Sequence, residues 1–231
     1  MIIDKCPWTD FAVSLVKQAA KSASFCLLLL VISCAPSLYS IDLKYEPSAH
    51  TRAESAETKE TVSVASFVDA RRTADPLMIG KVVILDGREI PVFPKHEKPS
   101  DAVASSLREF LFKSGYTVSS GKPSWDLREE TIQKKWGKIL VGGKIEEFDI
   151  TCRESVPVKK YTAKVRLTVI LADTERGRIF FRTTTESSSS LEHIIFSEEK
   201  LEQQMNAALS DAIEKSFDGQ EIKQKIRATA Q

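Results

Sequence analysis

The stretch KKYTAKVRLTVILAD, residues 159–173, limits the possible folds more than any other. Tyr161, Ala163, Val165, Leu167, Val169 and Leu171 fall on one side, and Thr162, Lys164, Arg166 and Thr168 on the other. A period of two belongs to a strand, and this alternation asks for a sheet with one face buried and one face wet. The chain must therefore supply a second layer, and two segments offer one. In KPSDAVASSLREFLFKSGY, the residues Val103, Leu107, Phe110 and Leu111 form one apolar stripe. Ser100 is the expected cap, Asp101 suits the positive end of the dipole, and Gly115 ends the helix. In SEEKLEQQMNAALSDAIEKSFDG, the stripe is Leu201, Met205, Ala208, Leu209, Ala212, Ile213 and Phe217, between Ser197 and Gly219.

The remaining segments extend the sheet. TVSVASFVDAR predicts a strand buried on both faces, with Val62, Val64, Ser66 and Val68 on one side and Ala65 and Phe67 on the other. KVVIL and REIPVF flank Asp86-Gly87, a hairpin signal. Pro91 and Pro94 assign that hairpin to a peripheral arm over 70–98. YTVSS is a short strand, and SWDLREETIQKKWG a short helix or turn with Trp125, Leu127, Ile132 and Trp136 as its apolar residues. GKILVGGKIEEFDITC is a strand bulged at Gly142-Gly143. DTERGRIFFRTTTE turns at Arg176-Gly177 and returns antiparallel. The expected fold is α+β in two layers, an antiparallel-rich sheet of about four to five strands with two long helices packed on one face. It should occupy residues 62–219, followed by a tail over 220–231.

The N-terminal part carries a different signal. In FCLLLLVISCAPS the apolar run Phe25–Ile32 spans about 12 Å as a helix. The hydrocarbon core of a bilayer is about 30 Å thick, so the run suits the core of a signal peptide, with Lys17 and Lys21 before it. Val31-Ile32-Ser33-Cys34 matches the bacterial lipobox. The Cys34 thiol is the nucleophile that takes a diacylglyceryl group. The small Ser33 lets the peptidase reach the bond, and the freed amine can be acylated in turn, with palmitate for example. Residues 1–33 are then a lipoprotein signal peptide. Two other readings are an ordinary secretory signal, with Cys34 incidental, and a buried core segment. Met1–Leu15 is long for the leading region and holds Trp8, Phe11, Asp4 and Asp10, which leaves two starts open, Met1 and one near Val16. Residues 34–61 are polar and aperiodic and read as a flexible tether with a reach of roughly 30 Å. Ala35, where inner-membrane retention uses an aspartate, directs the anchored protein to the outer membrane, facing the periplasm.

Charge and cysteines narrow the function. The signal removes Lys5, Lys17, Lys21, Asp4 and Asp10 from 33 basic and 32 acidic residues, leaving 30 of each. A nucleic-acid binder would show a basic excess. Cys6 and Cys26 leave with the signal, and Cys152 is then the one thiol beside Cys34, without companions at metal-ligand spacing. It is either buried or a bridge to another chain. His50 and His96 lack partners in sequence, and His193 in SLEHIIF reads as a surface residue. There is neither G-x-S-x-G nor H-E-x-x-H, and Gly142-Gly143-Lys144 lacks the rest of a phosphate loop. Glu146, Glu147 and Asp149 lie along a strand and read as solvated, with a polar rim as the alternative, while Arg71-Arg72 and Ser187–Ser190 are solvated loops or partner contacts. No catalytic residue, metal site or cofactor is expected.

Several short patterns go together: F-x-D-x-R at a strand end (Phe67, Asp69, Arg71), the L-x-x-x-L-x-x-x-G-Y helix end (Leu107, Leu111, Gly115, Tyr116), G-x-I-x-x-F (Gly143, Ile145, Phe148) and D-x-x-x-G (Asp173, Gly177). From Val62 to Phe217 the chain resembles the YajG-type family of uncharacterised bacterial lipoproteins. More distantly it is similar in layout to the lipopolysaccharide-assembly lipoprotein, the curli-secretion lipoprotein and auxiliary lipoproteins of ABC transporters. The resemblance implies a two-helix-on-sheet fold and an outer-membrane anchor, and no catalytic residues. A non-enzymatic envelope lipoprotein that binds a protein partner or a lipid is the reading that results. A periplasmic enzyme with an unrecognised site and a purely structural lipoprotein are its alternatives.

Overall fold

The structure, a computed structural model, describes residues 37–47 and 58–230. Val16, the lipobox residues Val31, Ile32, Ser33 and Cys34, and His50 lie outside the described residues. In chain order the elements are β1 (Tyr39–Ile41), β2 (Thr58–Val64), β3 (Val68–Asp69), β4 (Gly80–Val83), β5 (Glu89–Pro94), α1 (Pro99–Lys113), β6 (Tyr116–Val118), two 3-10 turns (Glu129–Thr131 and Lys134–Trp136), β7 (Ile139–Glu154), β8 (Lys159–Asp173), β9 (Arg178–His193), α2 (Glu198–Phe217) and α3 (Gln220–Ala230).

All nine strands join one mixed sheet. On one side β7 pairs antiparallel with β8 from Ile139↔Asp173 to Glu154↔Lys159, and β8 pairs in turn with β9. On its other side three short strands run parallel to it in succession: β2 beside Ile139–Val141, β3 beside Lys144–Ile145 and β4 beside Ile150–Arg153. Beyond them β6 flanks β2, β5 flanks β4, and β1 flanks β5. The expected sheet of four to five antiparallel-rich strands with two helices is thus corrected to nine strands of mixed direction with three helices among the described residues. Strands of two or three residues show no periodicity, and parallel partners remote in sequence leave no local trace.

The main core lies between the sheet and all three helices. It joins Val103 and Leu107 of α1, Leu201, Met205 and Leu209 of α2, and Ile222 and Ile226 of α3 to Val141, Ile145, Phe148, Val165, Leu167 and Val169. The segment 220–231, expected as a tail, is largely this third helix, held by apolar residues four apart. α1 begins at Pro99 with Lys98 as its cap residue, and no side chain caps it, so Ser100 is already inside the helix. Ser197 does cap α2, accepting from the Lys200 amide.

A bulge at Glu146 sets the face of β7. Ile145 pairs with Leu167 and Glu147 with Arg166, so Glu146 is an extra residue. Before it Ile139, Val141 and Ile145 point to the helices; after it Phe148, Ile150 and Cys152 do. β8 keeps a constant parity throughout. The bulge therefore lies here and not at Gly142-Gly143. Those glycines make room: a Cβ on Gly143 would come 2.1 Å from the Thr168 carbonyl, and one on Gly142 would come 2.8 Å from the Trp125 ring. Trp125 and Leu127 form a second, smaller core on the opposite face with Ala65, Leu140, Ile170 and Ala172.

Two further expectations change. The 70–98 segment is no peripheral arm, because its β4–β5 hairpin sits within the sheet. The Val92 carbonyl accepts from Ile79, so the polar groups of Pro91 face the opposite side, where β1 starts only at Val92. Both prolines thus sit where no ladder donor is needed. The fold also starts within the expected tether, at Leu38–Tyr39. Tyr45 and Ile41 are buried. The amides of Asp42, Lys44 and Glu46 donate to Glu202, Asn206 and Ser210 along α2.

Candidate functional site

Among the described residues, the chemistry-bearing side chains singled out by sequence do not converge. Arg71, expected in a solvated loop, is nearly buried. Its guanidinium pairs with both Asp69 oxygens at 2.8 and 2.9 Å and donates to the carbonyls of Pro76, Met78 and Phe148. β3 ends against Ile145 and β4 starts against Ile150, so β7 is left without a neighbouring strand between them. Arg71 fills that gap by satisfying the Phe148 carbonyl. Its hydrogen bonds hold the Asp69 carboxyl below the usual carboxylate range. The F-x-D-x-R pattern is therefore a clamp.

Ser187–Ser190 belong to β9 and not to a loop. Ser187 donates to Asp211 and Ser189 to Gln204, while Thr185 reaches Ala212 and Ser216, which docks α2 on the edge strand through hydroxyls. Glu146 accepts from Thr168 at 2.6 Å, and Arg166 bridges Glu186 at 2.8 Å and Glu147 at 3.6 Å. These carboxylates pair across strands on the open face. Cys152 is fully buried, which prevents a bridge to another chain in the folded state, and burial pushes its thiol up to about 11.

Two clefts remain. One of about 160 Å³ is lined by Asp42, His96, Glu97 and Ser105. Its serine hydroxyl donates to Glu97 at 2.9 Å, so serine and carboxylate are paired there. The other, of about 380 Å³, is lined by Arg176, Arg178, Phe180 and Lys225. Arg176 pairs with Asp173 and Lys225 with Glu221, so two of its cations are already engaged. His193 is exposed, and its Nδ1 lies 2.9 Å from the Ile195 carbonyl. Beside it is a feature missed in the sequence: Ile194, Ile195 and Val156 are all more than two-thirds exposed. The run HIIF after four serines was its only trace.

No family model and no curated protein matches the sequence. Solved structures do. A DUF330 family-model protein from Xanthomonas campestris superposes with a TM-score of 0.52 at 12% identity, over 84% of this chain and all of that one. A neuraminyllactose-binding hemagglutinin homolog from Helicobacter pylori gives 0.43 at 12%, over 80% and 96%. Lipoprotein GNA1162 from Neisseria meningitidis gives 0.34 at 11%, over 70% and 98%. The first of these similarities shows a shared fold. The other two fall below the level at which a superposition carries an argument.

Proposed function

We propose that the chain is a non-enzymatic envelope lipoprotein, acylated on Cys34, that acts as an accessory or assembly component binding a protein partner or a lipid. The observation that carries this is Val31-Ile32-Ser33-Cys34 at the end of an apolar run too short to cross a bilayer. Membership of the YajG-type lipoproteins fits the patterns shared from Val62 to Phe217. Ala35 favours the outer membrane, with the folded domain facing the periplasm. Cys34→Ala is expected to leave an unprocessed precursor that takes up no radiolabelled palmitate. Equal labelling of parent and variant would remove the lipobox reading. Separation of the membranes by density should place the parent with outer-membrane markers and Ala35→Asp with inner-membrane markers. If both follow inner-membrane markers, the sorting argument fails.

A further inference from the structure

We propose that the end of the sheet carrying Val156, Ile194 and Ile195 rests in the bilayer that holds the anchor. This rests on the reading of Cys34 as the acylated residue. The strands β7 and β8 close through the turn at 155–158, where the Ser155 amide donates to the Val158 carbonyl, and Val156 stands at its tip, 80% exposed. Lys159 pairs with His193, so the residues following β9 leave the sheet beside that turn. These are Ile194 and Ile195, 71% and 69% exposed. Their backbone is fixed. The hydroxyl of the fully buried Tyr161 accepts from the Ser197 amide at 3.0 Å and reaches the Ile195 carbonyl at 3.4 Å. Phe196 turns inward against Tyr161 and Tyr39. Large apolar side chains are thus held outward on a braced segment, a pattern that marks an interaction surface.

The occupant follows from where the chain enters. Leu38, itself 54% exposed, precedes Tyr39, whose ring centroid lies 4.9 Å from that of Phe196. The chain therefore enters the domain at its apolar end. Cys34 is four residues before Leu38, a span of at most about 14 Å when fully extended. That is far shorter than the tether expected from composition, and it keeps this end against the headgroups. Lys159 and Lys160 stand beside Glu154 and Glu192 in the register, so charge contributes little and apolar insertion carries the contact. Among the described residues no helix is long and apolar enough to span, which fits a surface contact.

The test uses the processed protein purified from envelopes and placed in vesicles of phosphatidylethanolamine and phosphatidylglycerol with brominated acyl chains. Mass analysis of the N-terminal peptide decides separately whether Cys34 is acylated. Should it not be, the same vesicles receive protein coupled through the Cys34 thiol to a maleimide lipid, so the bilayer contact is tested either way. Tryptophan is placed at Val156, at Ile195 or at Phe112, which is equally exposed but lies on α1. Emission from Val156→Trp and Ile195→Trp should be quenched roughly threefold more than from Phe112→Trp, since surface contacts bury apolar groups about 5–10 Å into the interface. Equal quenching at all three positions, or none, overturns the proposal. So does a shift of the Ile195→Trp emission with protein concentration in the absence of vesicles, which would assign the surface to a second copy.

Discussion

The two sides of β7 are built in opposite ways. Toward β8 the ladder is continuous, closed by one short turn, and interrupted only at Glu146. Toward the other side it is a patchwork of β2, β3 and β4, drawn from residues 58–83 and remote from β7 in sequence, with a gap that Arg71 fills. A hairpin ladder needs only neighbouring residues to meet, so its cost in chain entropy is small. The patchwork has to order long intervening segments, and it depends on side chains to complete what short strands leave undone. The β8 side should therefore behave as part of the global unit, and the patchwork as a region able to open by itself.

The largest effect is expected where β8 meets the helices. Leu167 and Leu209 are both fully buried, and Leu→Ala at either should cost about 2–5 kcal/mol in a denaturant titration. Arg71→Ala comes next, at about 2–3 kcal/mol, because it removes charged hydrogen bonds and orphans the Phe148 carbonyl. In that variant hydrogen exchange should quicken in β4 and β5 and stay unchanged in β8. Uniform quickening would abolish the distinction between the two sides. The Asp69 carboxyl is held low by Arg71, so it contributes stability above its unfolded value of about 3.9 that is lost as pH falls through the lower folded value. Below about pH 5, Arg71→Ala should consequently lose stability less steeply than the parent.

Gly142→Ala should cost about 1–3 kcal/mol by pushing a Cβ into Trp125. In a Trp125→Ala background that cost should largely vanish, as a double-mutant cycle would read. A cost that persists would mean that the strand itself, and not the ring, rejects the methyl group. The smallest effect belongs to the open face of β8. Lys164→Ala and Arg166→Ala should each change stability by under about 0.5 kcal/mol, because the Arg166 pairs with Glu186 and Glu147 are exposed to solvent. A larger loss would invert the assignment of the buried face.

The sequence alone determined whatever depends on neighbours within a few residues. The alternation of 161–171 fixed the buried face of β8, the stripes of 103–111 and 201–217 fixed the helix faces, and Asp86-Gly87 and Arg176-Gly177 fixed two turns. The parity change at Ile145-Glu146-Glu147-Phe148 was also legible, as two polar residues in succession, but it was masked by the glycines beside it. The site was less legible. The proposed acylation of Cys34 rests on sequence alone, whereas the apolar end exists only because β7, β8 and β9 finish together. Tertiary structure alone decided the strand count, the parallel pairing and the role of Arg71. The strands on this side of β7 gain their stability from partners 70 or more residues away, as Arg71 does from Phe148, and no local pattern records a partner that remote. The same holds for residues 39–46, polar enough to read as tether, which are ordered because their amides find acceptors on α2 some 160 residues later.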